Sequence, residues 1–283
     1  MANSRRFVLC ADDYAMTPAV SSGILALLEA GRISAAGAMT SRPAWQGAAR
    51  DFSAHAATAD LGLHFNLTCG APLTRMANLA PGGEMPKLGA ILKAAASGHL
   101  PQAEIEAELD AQLSAFEDAM GRAPDFIDGH QHVHAMPGVR HVLARVLPAR
   151  YPGTKPWLRV SADSPLRVVA RGVEVRKALL VSALTAPFGA RMRALGFATN
   201  QGFSGYSGFN PAADYGADCA RYLAAPGARH LIMCHPGAVD DELVALDPVT
   251  HSRPIERDFL LSQRFVEICA KADMTLCRFS ELT

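Results

Sequence analysis

Charge is scarce in this 283-residue chain and balances to zero, with 27 Lys plus Arg against 27 Asp plus Glu. Without a net field or a basic run there is no phosphate-tracking surface, which argues against nucleic acid as a partner. Cysteine is sparse and scattered. Cys10, Cys69, Cys219, Cys234, Cys269 and Cys277 form no CxxC pair, which excludes a zinc ribbon or disulfide framework and fits a reducing cytoplasm. Long apolar runs are missing too. Phe7–Ala11 is too short for a signal-peptide core, and no stretch reaches the eighteen apolar residues of a membrane span, so the expectation is a soluble protein without stable membrane association. No GxGxxG follows the first strand, and GxxxxGK[ST], GxSxG and HExxH do not occur, so dinucleotide, nucleotide, serine-hydrolase and zincin chemistry lack support. Repeats and low-complexity linkers are also lacking. What is there in quantity is apolar residue, 49% of the chain, enough for a sizeable core. The length suits a closed α/β barrel, so residues 1–283 are expected to form one catalytic domain.

The order of elements favours the same architecture. Phe7–Ala11 is a short apolar run ending in acids, as in a strand buried on both faces of a parallel sheet. Thr17-Pro18 then caps a helix that ends at Gly31. Further strands are predicted at 33–40, 61–67, from 125, at 157–160, 229–234 and 275–279. Helices are predicted at 43–57, 104–120, 173–195, 211–223 and 255–272. About seven strands alternating with helices make an irregular TIM-like (β/α) barrel the expected fold. The Pro/Gly-rich stretch from Cys69 to Pro86 reads as a functional loop over an active site.

Unusual polar residues sit where the predicted strands end. Asp12 and Asp13 close the first strand, His64 lies near the end of the third, His130, His132 and His134 follow Asp128, and His235 follows Cys234. The carboxyl ends of parallel barrel strands share one face, so these groups should converge. If extended, the His-Gln-His-Val-His run directs three imidazoles to one side, about 6.6 Å apart. That allows one or two of them on a single ion, not three. His235, in Cys-His-Pro-Gly, stands at a forced turn and suits proton delivery to a leaving group. Acids with histidines suit a divalent ion that activates water, with an aspartate taking the water's proton. The Gly202–Phe209 segment reads equally as a sugar-stacking loop or as a surface loop.

In order and spacing, Ala11-Asp12-Asp13-Tyr14, Gly62-Leu63-His64-Phe65-Asn66-Leu67-Thr68, Asp128 to His134 and Cys234-His235-Pro236-Gly237 resemble the YdjC/ChbG-like carbohydrate deacetylases, a family that includes the hopanoid-associated HpnK proteins. The resemblance runs from Phe7 to about Glu281, loosely between Pro148 and Gly227. It departs at Tyr14-Ala15-Met16, where many members have Phe-Gly. The resemblance implies a barrel related to the polysaccharide deacetylases and a divalent ion, Mg or Zn. It implies Asp13, His64 and His130 as metal ligands, Asp12 as general base and His235 as general acid. His132, His134, Tyr14 and Asn66 are expected on the substrate or behind the ligands. The implied reaction is removal of an N-acetyl group from an acetylated amino sugar. Another small amide or ester, or carbohydrate binding by a degenerate site, are the alternatives, and a homodimer is the base expectation for assembly.

Overall fold

The computed structural model describes residues 5–282. Its elements are β1 (Arg5–Tyr14), α1 (Pro18–Glu29), β2 (Ala35–Ala38), α2 (Trp45–Phe52), β3 (Asp60–Phe65), α3 (Leu88–Ala96), α4 (Gln102–Met120), β4 (Phe126–Gly129), α5 (Val139–Arg150) and β5 (Trp157–Leu158). There follow α6 (Pro165–Arg171), α7 (Val175–Ala194), β6 (Phe203–Ser204), α8 (Tyr215–Tyr222), β7 (His230–Cys234), α9 (Asp241–Leu246), α10 (Ser252–Leu261), α11 (Gln263–Lys271) and β8 (Met274–Leu276). The strands pair in parallel in the order β5-β4-β3-β2-β1-β7-β6, and β8 pairs with the first residues of β1. The two outer edges meet through a parallel bridge between Leu158 and Thr199. Beside it the Asn200 side chain accepts from the Val160 N–H at 2.7 Å and donates to the Val160 carbonyl at 3.0 Å. A side-chain amide thus stands in for a ladder rung, and the curled path of seven strands, with β8 added beside β1, is an irregular α/β barrel.

Local signals explain most elements. Thr17 accepts from the Val20 N–H at 3.3 Å to cap α1 with Pro18 in its first turn, and α4 buries Leu109, Leu113 and Phe116 before closing on Gly121 at φ 66°. The expected helix over 255–272 is two, α10 and α11, because Ser262 between them is extended (ψ 159°). Helices α3, α5, α6 and α9 fall where no element was expected. β6, within the expected Gly202–Phe209 loop, has two residues, too few for an alternating pattern. The expected active-site loop is fastened to α4 instead. Glu108 accepts from the Leu73 and Thr74 N–H groups at 3.0 and 2.8 Å, and Glu104 accepts from those of Asn78 and Leu79, each at 2.9 Å.

Two-residue periodicity sorts the strands into layers. Phe7, Leu9 and Ala11 of β1 and Ile232 and Cys234 of β7 face the helices, in one apolar cluster with Leu61, Leu63 and Phe65. Val8, Cys10, Phe126, Trp157, Leu231 and Met233 form a second cluster that fills the barrel, where Trp157 stacks between Phe126 and Phe279 with ring centroids 4.3 Å apart on each side. Two residues beyond the last inward apolar side chain, four of these strands place Asp12, Asp128, Arg159 and His235. The polar site is therefore the top layer of the barrel filling, resting on a packed apolar floor.

Candidate metal centre

Asp13 is the exception to this periodicity. In a regular strand it would face away from Asp12. The β1–β2 register shifts between Ala11 and Tyr14, and Asp13 takes φ 69° with Ala15 at φ 68°. This bulge turns the second carboxylate back to the same bowl, a strained conformation of the kind found at functional sites.

There Asp13 Oδ1 lies 2.9 Å from His130 Nδ1 and 3.4 Å from His64 Nε2. His64 Nδ1 donates to Asp128 Oδ1 at 2.7 Å, its register neighbour across β3–β4, which leaves Nε2 as the nitrogen that faces Asp13. A side chain at Gly37 would crowd this pair, since its Cβ would stand 3.0 Å from His64 Nδ1. Ligands about 2.1 Å from a common ion are separated by about 3 to 3.4 Å, so each histidine nitrogen stands from Asp13 Oδ1 as two donors of one divalent cation do, and the ligand atoms of the three residues lie within 4.8 Å of one another. Their mixed oxygen and nitrogen character suits a borderline ion with positions left open. All three residues are buried.

A second group, Cys10, Asp12 and Asp128, already holds a cation of the protein's own. Arg159 grips Asp12 with both terminal nitrogens, Nη1 to Oδ2 at 2.7 Å and Nη2 to Oδ1, while Nη2 also lies 2.5 Å from Asp128 and 3.1 Å from Cys10 Sγ. On the other side Arg253 Nη2 donates to Asp13 Oδ2 at 2.7 Å. Neither arginine was singled out from the sequence. Arg159 was within reach of the periodicity argument, two residues after Trp157, whereas Arg253 lies on a helix 240 residues from its partner and carries no such signal.

The charges set the protonation states. Burial opposes ionisation of Asp13, but Arg253 and His130 outweigh it and hold the carboxyl well below the usual range. Burial opposes the cation on His64, but Asp128 and Asp12 prevail and push it up to about 10. At His235 burial wins, and the imidazole is held down to about 4 against the pull of Asp12 and Asp13. His235 Nε2 stands 3.9 Å from Asp12 Oδ2, its backbone N–H donates to Glu256 at 2.7 Å, and its ring lies perpendicular to that of Phe209 with centroids 5.1 Å apart.

The histidine run is not extended. Gln131 and His132 both adopt left-handed backbone (φ 53° and 59°) within a 3-10 turn, which sends the three rings three ways. His130 reaches Asp13. His132 meets the Ser161 hydroxyl at 3.0 Å and lines the cavity above the centre. His134 donates to the Arg159 carbonyl at 3.0 Å from below. Tyr14 does not reach the cavity, since its hydroxyl donates to the Ala48 carbonyl at 2.8 Å within the helix layer. Asn66 likewise braces its own loop, donating to Cys69 O at 2.7 Å and accepting from the Thr68 N–H at 3.0 Å. The cavity, about 290 Å³, is lined by Asp12, Asp13, His130, His132 and His235 on its polar side and by Leu88, Met136, Val181, Phe209 and Val249 on its apolar side. From Gly202–Phe209 only Phe209 faces it, with Lys177 Nζ 4.8 Å from its ring.

Known proteins resemble the chain in sequence and in fold. Two curated relatives are the human carbohydrate deacetylase, 35% identical over 186 residues (60% of this chain, 55% of the relative), and the chitooligosaccharide deacetylase of Enterobacter sp. (strain 638), 35% identical over 138 residues (49% and 54%). The matches thus span about half the length of these relatives. Among solved structures, a protein of Enterococcus faecalis V583 superposes with a TM-score of 0.74 at 21% identity, covering 99% of each chain. The lactam utilization protein of Thermus thermophilus gives 0.52 at 13%, covering 96% of this chain and 99% of that one, so both likenesses speak to the fold. Residues 6–271 match the model of the YdjC-like proteins, and the chain belongs to that family.

Proposed function

We propose that the chain is a metal-dependent N-deacetylase of an acetylated amino sugar or oligosaccharide, acting as one catalytic unit over residues 1–283. One observation carries the metal: the buried ligand atoms of Asp13, His64 and His130 gather within 4.8 Å of one another, with the outer nitrogen of His64 held by Asp128. The names of two relatives, carbohydrate deacetylase and chitooligosaccharide deacetylase, support the substrate class. The six cysteines are all free, which suits a cytoplasmic setting, and no helix among the described residues is long and apolar enough to cross a membrane.

When bound, zinc or magnesium would supply Lewis acidity, making water a better nucleophile and the acetyl carbonyl a better electrophile. Asp12, fixed at both oxygens by Arg159, is oriented to take the proton that water loses on attack. His235 is neutral at pH 7, so the proton it delivers to the departing nitrogen must first reach it. Asp12, 3.9 Å away, is the neighbour placed to pass it on. The balance is closed: the carbonyl carbon gains the water oxygen, the C–N bond breaks, and the nitrogen leaves with the water's proton. The cavity's apolar wall can cover an acetyl methyl group and a sugar face.

The test is acetate release from N,N'-diacetylchitobiose and a panel of acetylated sugars and glycolipids, with the metal removed and then restored. Acetate that appears only with metal supports the reading. Equal release from the stripped protein, or none from any amino sugar alongside cleavage of simple amides or esters, would refute it.

A further inference from the structure

One contact at the centre opposes a cation: a guanidinium lies against Asp13, the proposed ligand. Arg253 is 1% exposed and sits in the first turn of α10. Its Nη2 donates to Asp13 Oδ2 at 2.7 Å, its Nε donates to the Val249 carbonyl at 2.7 Å, and its own carbonyl accepts from the Gly237 N–H at 3.2 Å. Asp247 stands farther off, 3.7 Å from Nη2. One turn along the helix, Glu256 holds the His235 N–H. The guanidinium is therefore held between the Asp13 carboxylate and the Val249 carbonyl.

Two consequences follow from charge and valence. Asp13 Oδ2 is occupied, so only Oδ1, the oxygen facing His64 and His130, remains for a cation. A donor set of one carboxylate and two neutral imidazoles carries one negative charge, and Arg253 cancels it at close range in a buried setting where charges are weakly screened. Simple retention of a dication would favour the opposite sign at this position. We propose that Arg253 is a positioning residue of the metal centre, which reserves one oxygen of Asp13 and sets a positive charge beside the site, giving up affinity for the cation in exchange for a stronger Lewis acid. The inference rests on the metal-site reading above and goes beyond it by giving the opposing charge a purpose.

A purely structural arginine and a tuning arginine differ in the sign of one measurement. The experiment uses the full chain, Co2+ as probe, Arg253→Met and Arg253→Lys, and reads Co2+ affinity by chelator competition, the visible spectrum of the cobalt form, and kcat and KM for acetate release. Arg253→Met should bind Co2+ more tightly than the native protein, with an altered spectrum as Oδ2 becomes free to donate, while kcat falls about 10- to 100-fold and KM changes little. Arg253→Lys keeps the charge and should retain the native affinity while recovering part of kcat. Weaker Co2+ binding by Arg253→Met, or an unchanged affinity and spectrum, would overturn the proposal. Should Arg253→Met fail to fold, a tenfold change in Co2+ affinity in Arg253→Lys would overturn it equally. A native protein that binds Co2+ yet deacetylates no sugar sinks the substrate assignment alone and leaves the affinity and spectral comparison decisive. One that binds no Co2+ sinks both.

Discussion

Asp12 and Asp13 are the same residue, adjacent in sequence, both buried, each held by a buried arginine, yet the fold prepares them for different work. Asp12 continues the inward row of Val8 and Cys10, and both its oxygens go to one guanidinium, Arg159. Asp13 is turned inward by a bulge, and its oxygens are divided, Oδ2 to Arg253 and Oδ1 to two imidazoles. Adjacent like charges in a buried place are stable only because each has a cation of its own. Residue type therefore does not distinguish the proposed ligand from the proposed base. The partner of each oxygen does.

The comparison breaks most sharply by removing one carboxylate at a time. Asp13→Ala, or His130→Ala on the same side, should abolish both metal binding and activity, since each deletes a donor from a set of three; elemental analysis after dialysis checks it, and full metal occupancy would refute the ligand assignment. Asp12→Asn should keep the metal and lose turnover by about a hundredfold or more. Normal turnover in that variant would place the base elsewhere and erase the division between the two aspartates.

How much of this could be read from the chain divides along similar lines. Strands buried on both faces announce themselves as apolar runs, so β1, β3 and β7 and the residues at their ends, Asp12, His64 and His235, were legible, and the parallel order followed from alternation with helices. Two-residue strands carry no pattern, which hid β6. The turn at Gln131-His132 was illegible because left-handed backbone at consecutive non-glycine residues has no sequence signal, and the run read as extended. Tyr14 and Asn66 sit inside diagnostic motifs but serve the scaffold. A motif marks a stretch of chain and does not say which of its side chains face the cavity.

The next prediction attacks the Asp12 side through its clamp. Arg159→Met leaves the Asp12 and Asp128 carboxylates buried without their cation, and breaking such a network should cost about 3–5 kcal/mol in stability, seen as a lower urea midpoint. A loss well under that would mean the two carboxyls share a proton or admit water at little cost. On the Asp13 side the corresponding probe is pH. His64 in the metal-free protein is held protonated up to about 10, and a cation needs its Nε2 lone pair, so binding must expel that proton. Affinity should therefore rise with pH, by about tenfold per unit where one proton is displaced, and level off near pH 10. Chelator-buffered titrations between pH 6 and 9 measure the slope, and a flat profile would show that His64 is already neutral.

The smallest effect tests whether the two sides are separable at all. Phe209 faces the cavity from a left-handed residue (φ 54°), its ring perpendicular to that of His235 and beneath Lys177. Leucine keeps apolar bulk there but removes the flat face on which a sugar ring can lie. Phe209→Leu should raise KM for an acetylated sugar about two- to tenfold, the worth of one aromatic contact, and leave metal affinity alone because no atom of the ring touches Asp13, His64 or His130. A larger fall in kcat with a displaced pH profile would mean the ring chiefly steers His235. A change in metal affinity would show that the two halves of the site are mechanically joined, and the separate roles of Asp12 and Asp13 would then have to be measured together.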